Sequence, residues 1–109
     1  MQYALLMYSP PESAAAARGP IDPEIAAVLD RPNITGWLRL YPHESATSVR
    51  REEGTTLLTD GPFIDSKEFL GGFIIVEADD LDGALALAAE LHEIRPLAGI
   101  EVRPVLEQS

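Results

Sequence analysis

Cysteine is absent from the chain, which excludes disulfides, thiolate nucleophiles and cysteine-ligated zinc together. Long apolar runs are absent as well. The densest stretches, residues 3–8 and 73–76, are strand-sized and far short of the roughly 20 residues a membrane-crossing helix needs. Bases are scarce: eight Lys and Arg stand against eighteen Asp and Glu, a formal net charge of -10. That balance disfavours direct binding to nucleic-acid phosphates or to an anionic membrane surface. The amino end lacks the basic start, apolar core and small-residue cleavage pattern of a secretory signal. With no disulfide to require an oxidising compartment, a cytoplasmic protein is expected. What remains is an ordinary globular composition, 46% hydrophobic and 24% charged over 109 residues. Neither a repeat nor a low-complexity tail divides the chain, so a single domain over residues 1–109 is predicted.

The local patterns alternate between strand and helix. Gln2 to Tyr8 reads as a strand that is apolar on both faces, and Ser9-Pro10-Pro11 stops it. Residues 13–18 are alanine-rich and fit either a short helix or a loop. Asp22-Pro23-Glu24 is a helix start: a capping side chain, a proline at the first helical position, then an acid at the positive dipole end. Residues 34–40 read two ways, because Trp37 and Leu40 share a helical face while Trp37, Arg39 and Tyr41 alternate as in a strand. Ala46 to Arg51 and Thr55 to Thr59 form a hairpin about Glu53-Gly54, and Asp60-Gly61-Pro62 is a second turn. Residues 64–69 make a polar crossing, and Gly71-Gly72 allow a bulge or a close backbone approach before a strand from Phe73 to Glu77. Asp79 or Asp80 caps a helix from Leu81 to about His92, with Leu81, Ala84, Leu85, Ala88 and Leu91 as its buried stripe. After a connection over residues 94–99, Ile100 to Val105 is the last strand, placed at an edge by Pro104.

The order strand, helix, hairpin, strand, helix, strand predicts an α+β fold of ferredoxin-like type, with two helices on one face of an antiparallel sheet. Two helices cover only one face. The first strand and the Phe73 strand nevertheless carry large apolar side chains on both. The second face is therefore expected to pack against another copy, as a homodimer, unless residues 31–43 fold beneath it.

One motif narrows the family. Asp60-Gly61-Pro62-Phe63, then Lys67-Glu68, then Leu70-Gly71-Gly72-Phe73 resembles the DGPF-domain proteins, a branch of the YCII-related family. The opening strand, the Ala46–Arg50 strand, Asp80-Leu81-Asp82 and the closing Ile100–Val105 strand extend the resemblance over nearly the whole chain. It implies a ferredoxin-like subunit that pairs sheet to sheet into a dimeric α+β barrel. Some YCII relatives use a His-Asp pair in a cleft, and similar barrels host lyases, isomerases and monooxygenases. Association with extracytoplasmic-type sigma factors implies, alternatively, a non-catalytic regulatory or interaction module. In the first half the chain departs from its relatives, with Pro32 and a compressed 34–42 segment where they have one longer helix.

The candidate residues follow from chemistry. Asp60, at a strand end beside a glycine and an aromatic, is the acid–base candidate; turn capping is its plainer role. His43 could orient or complement it, whereas His92 suits a helix C-terminus. Arg50 is a candidate for a carboxylate ligand, and Phe63 and Trp37 for lining a pocket. No closely spaced ligand set, nucleophile elbow or phosphate loop is present, so neither a metal nor a cofactor is expected. The resulting expectation is a small-molecule pocket between sheet and helices, with possible lyase- or isomerase-like proton transfer and no assigned substrate.

Overall fold

A computed structural model describes residues 1–13, 19–63, 67–96 and 99–107. The expected alanine-rich segment at 14–18, the middle of the polar crossing at 64–66 and part of the connection at 97–98 lie outside the described residues. The element order is β1 (Gln2–Ser9), α1 (Pro23–Leu29), β2 (Ile34–Arg39), β3 (Thr47–Glu52), β4 (Thr55–Asp60), β5 (Phe69–Glu77), α2 (Leu81–Ile94) and β6 (Gly99–Pro104). Four strands form one antiparallel sheet in the order β2-β5-β1-β6. With α1 after β1 and α2 after β5, this is the ferredoxin-like α+β topology. Among the described residues no helix is long and apolar enough to cross a membrane.

Of the two readings of residues 34–40 the strand is the one that forms: residues 34–39 are the fourth sheet strand, an edge strand paired with β5, and neither a resumed helix nor a cover for the open face. The hairpin β3–β4 then stands apart as its own two-stranded sheet. Its turn is closed by Glu53 and Gly54, both at positive φ (49° and 78°), the conformation that a two-residue hairpin turn requires. Every residue of β4 is exposed, with Leu58 at 70% and Val49 on the facing strand at 61%.

Both helix starts are built as the sequence implies. Asp22 accepts a hydrogen bond from the Glu24 N–H at 2.8 Å, with Pro23 at the first helical position. Asp80 accepts from the Gly83 N–H at 3.0 Å. The core lies between the helices and one sheet face: Tyr3 and Leu5 of β1, Ile74 and Val76 of β5, Val28 of α1, and Ala84, Leu87, Ala88 and Leu91 of α2. The buried stripe of α2 is thus rotated from the expected one. Leu87 takes a core position, while Leu81 and Leu85 are 46% and 44% exposed. Leucines on several sides of this helix leave its phase to be set by contact with the sheet.

The glycine pair does both things anticipated for it. Met7 pairs with Gly72 and Tyr8 with Leu70, so Gly71 is the extra residue of a β-bulge. Gly72 lies against β2 so closely that an added Cβ would stand 2.4 Å from the Leu38 carbonyl oxygen. Pro104 closes β6, which pairs only with β1 and is the other edge of the sheet, where a missing N–H is tolerated.

Arg31, just past α1, clasps Glu90 of α2 bidentately, with Nη1···Oε2 at 2.9 Å and Nη2···Oε1 at 2.5 Å. The Arg31 hydrogen bonds hold the Glu90 carboxyl below its ordinary pKa and raise that of the guanidinium. A lowered carboxyl contributes stability above its unfolded-state pKa and loses it as pH falls through the folded one. Acidification through the carboxylate range should therefore destabilise the native chain more than Glu90→Gln, and the two should converge in acid. The gap at neutral pH is small and closes with salt, because both side chains are about two-fifths exposed (43% and 42%). Urea midpoints across that pH range, at low and high salt, check this.

Candidate functional site

A cleft of about 140 Å³ opens between α1, the end of α2 and the helix-side face of the sheet. Each contributing element brings apolar groups: Met7 from β1, Ile25 and Leu29 from α1, Trp37 from β2 and Leu91 from α2. Strand parity explains β2's share. Trp37 is registered with the buried Ile74, so its side chain is on the helix side, and Arg39 two residues on follows it there. Arg95, the extended C-cap residue of α2, is held one turn beyond Leu91 by its N–H, which donates to the Leu91 carbonyl at 3.1 Å. The polar lining includes Asp22, Arg39 and Arg95. Arg39 donates from Nη2 to the Gly19 carbonyl oxygen at 2.8 Å, and Asp22 is engaged in capping α1. An apolar hollow with a few fixed polar groups is the common form of a small-molecule site.

Of the residues singled out from sequence, Trp37 lines this cleft and is 45% exposed within it. The other four gather at the hairpin. Asp60 ends β4 opposite Thr47 and is exposed. His43 lies in the 3-10 turn before β3 and stacks flat on Phe69, ring centroids 4.0 Å apart and planes 6° from parallel. Among the described residues, no hydrogen bond or ion pair joins Asp60 to His43. Arg50 and Phe63 do meet: the guanidinium carbon sits 3.8 Å from the Phe63 ring centroid.

The residues around the DGPF motif form a clasp. Gly61, at φ +99°, turns the chain where a side chain would be strained. The Gly61 N–H donates to the Ala46 carbonyl at 2.7 Å, and the Ser48 hydroxyl donates to the Gly61 carbonyl at 2.8 Å. Phe63 then folds back under Arg50 of β3. His43 on Phe69 fastens the same root to β5. These contacts explain the motif as a means of closing the hairpin. Among the described residues no cluster of three or more His, Cys, Asp or Glu is placed to hold a metal ion.

Sequence reasoning missed Arg39 and Arg95. The signal for Arg39 was its alternation with Trp37, which acquires meaning only once β2 is known to be a strand.

Comparison with known proteins agrees with this architecture. The family model described as the YCII-related domain matches residues 1–109. An uncharacterized protein of Rhizobium meliloti (strain 1021) is 41% identical over 68 residues, covering 62% of this chain and 55% of that protein. The chain therefore matches about half the length of this curated relative.

Proposed function

The chain belongs to the YCII-related family, and from that premise we propose that it is a small-molecule-binding protein working as a homodimer, each protomer holding its ligand in the cleft beneath α1. The observation that carries the binding reading is the cleft itself. A module serving only assembly has no need of a hollow between its helices and sheet, and here five apolar side chains from four elements surround one. The homodimer reading is supported by the sheet's other face, where Ala4, Leu6 and Tyr8 of β1 share a side with Phe73 and Ile75 of β5 and Leu38 of β2. None of these is fully buried within one protomer, and both helices pack on the opposite side.

Binding is the extent of this reading. Acid–base chemistry at Asp60 with His43 would take place at the hairpin root, which does not line the cleft. A thermal-shift screen of the full chain against small metabolites is the direct test. A ligand present at about a hundred times its Kd should stabilise the fold by about 2.7 kcal/mol, a rise of about 10 °C in Tm. The rise should disappear when Ile25→Trp fills the cleft. A rise that survives this substitution places the ligand elsewhere.

A further inference from the structure

The hairpin has little of its own chain to pack against. β3 and β4 pair only with each other, and two strands alone are marginal in water. We infer that in the homodimer each hairpin reaches over the open sheet face of the other protomer and covers its β6 margin. Val49 and Leu58 then pack against the partner's sheet, and Arg51 faces the partner's Glu101. This rests on the homodimer reading.

Register puts Val49 directly opposite Leu58, so both side chains share one hairpin face, and at 61% and 70% exposed they form an apolar pair in water. Strand alternation adds Arg51 and Asp60 to that face, each two residues from the pair and both exposed. On the sheet, Glu101 and Arg103 of β6 are registered with Leu6 and Ala4 and so stand on the open side, also exposed. Each surface therefore carries one acid and one base. That balance matters in a chain of net charge -10, whose copies repel one another as wholes. Association is favoured where charge is locally matched, and these two surfaces can set opposite signs against each other.

The hairpin also leaves the sheet at the required margin. It runs between the end of β2 and the start of β5, tied there by the Leu40 N–H on the Gly71 carbonyl at 2.8 Å and by His43 stacked on Phe69. β2 and β6 are the two edges of the sheet. With two such sheets facing across a two-fold axis that runs along the strands, the β2 margin of one copy lies over the β6 margin of the other. Each hairpin then overhangs the partner's β6, and the contact is made twice.

The chain has no cysteine, so introduced cysteines cross-link without background. Full-length Leu58→Cys and Glu101→Cys proteins are mixed in equal amounts, left to exchange subunits and treated with a short bismaleimide. A covalent dimer should form in the mixture and in neither protein alone. Leu58→Cys mixed with Glu93→Cys, on the exposed side of α2, should give none. In sedimentation, Arg51→Glu should weaken association about tenfold, and Glu101→Lys in the same chain should restore it. Cross-linking of either cysteine variant with itself, or of Leu58→Cys with Glu93→Cys, would place the hairpin elsewhere and overturn the inference while the homodimer stands. A chain that sediments as a dimer yet gives no cross-link in the mixture, or a loss that Glu101→Lys leaves unrestored, would do the same. A native chain that sediments as a single copy would overturn the homodimer reading itself.

Discussion

Gly72→Ala should cost about 3–5 kcal/mol, the upper range for a single substitution, and lower Tm by on the order of 15 °C. The added methyl would lie 2.4 Å from the Leu38 carbonyl oxygen and 3.3 Å from the Arg39 Cα, both backbone atoms. No rotamer change can relieve such a contact; β2 must move away from β5. β2 is an edge strand whose sheet pairing is entirely with β5, so its ladder is what yields. The effect should also reach the cleft, because β2 carries Trp37 and Arg39 into it. Gly36→Ala is the control: it lies on the same strand pair, and nothing stands within 4 Å of its added Cβ. It should change stability by no more than about 0.5 kcal/mol. Equal melting curves for the two variants would mean that the close approach at Gly72 relaxes freely, and the account of β2–β5 pairing given above would be wrong.

The features legible in the sequence are those whose causes are local. Asp22-Pro23 and Asp80 announce helix starts through groups two or three residues away, and both caps form. The bulge at Gly71 and the edge position of Pro104 likewise follow from what glycine and proline can do. The segment 34–40 was ambiguous because six or seven residues satisfy both periodicities, and the choice is made by β5, some 40 residues later in the chain. The phase of α2 has the same origin, since its leucines offer more than one apolar face and the sheet selects among them. Alternation in β3 and β4 predicts their mutual pairing but is silent on whether the hairpin joins the main sheet. The candidate site divides along this line. Asp60, His43, Arg50 and Phe63 are prominent as residue types and cluster at the hairpin root, whereas the arginines of the cleft have no local motif and gain meaning only from strand parity and the placement of the α2 C-cap.

On the homodimer proposed above, Leu6→Lys should yield a monomer, weakening association by about a hundredfold or more while each protomer stays folded. Leu6 lies on the open side of the central strand β1, registered with Phe73 on one neighbour and Glu101 on the other. A lysine there faces Glu101 across the β1–β6 pair, a favourable cross-strand arrangement, so the protomer tolerates it. In a symmetric sheet-to-sheet dimer the substitution occurs twice, once from each copy, and both ammonium groups must be stripped of water. Loss of two to three kcal/mol would already give that hundredfold effect, about 1.4 kcal/mol per factor of ten. Sedimentation velocity at micromolar concentration measures the outcome, with circular dichroism as the check on folding. The hairpin supplies the comparison. An isolated two-stranded hairpin is marginal in water, and with Leu58 70% exposed this one has apolar surface to offer a partner. The chain's radius of gyration, 15.5 Å, also exceeds the ~13 Å of a compact domain of about 100 residues. If Leu58→Lys dissociates the dimer and Leu6→Lys does not, the projecting hairpin rather than the sheet face holds the copies together. A native chain that sediments as a single copy at that concentration would refute both, since the apolar face and the exposed hairpin would then stand in water unassisted.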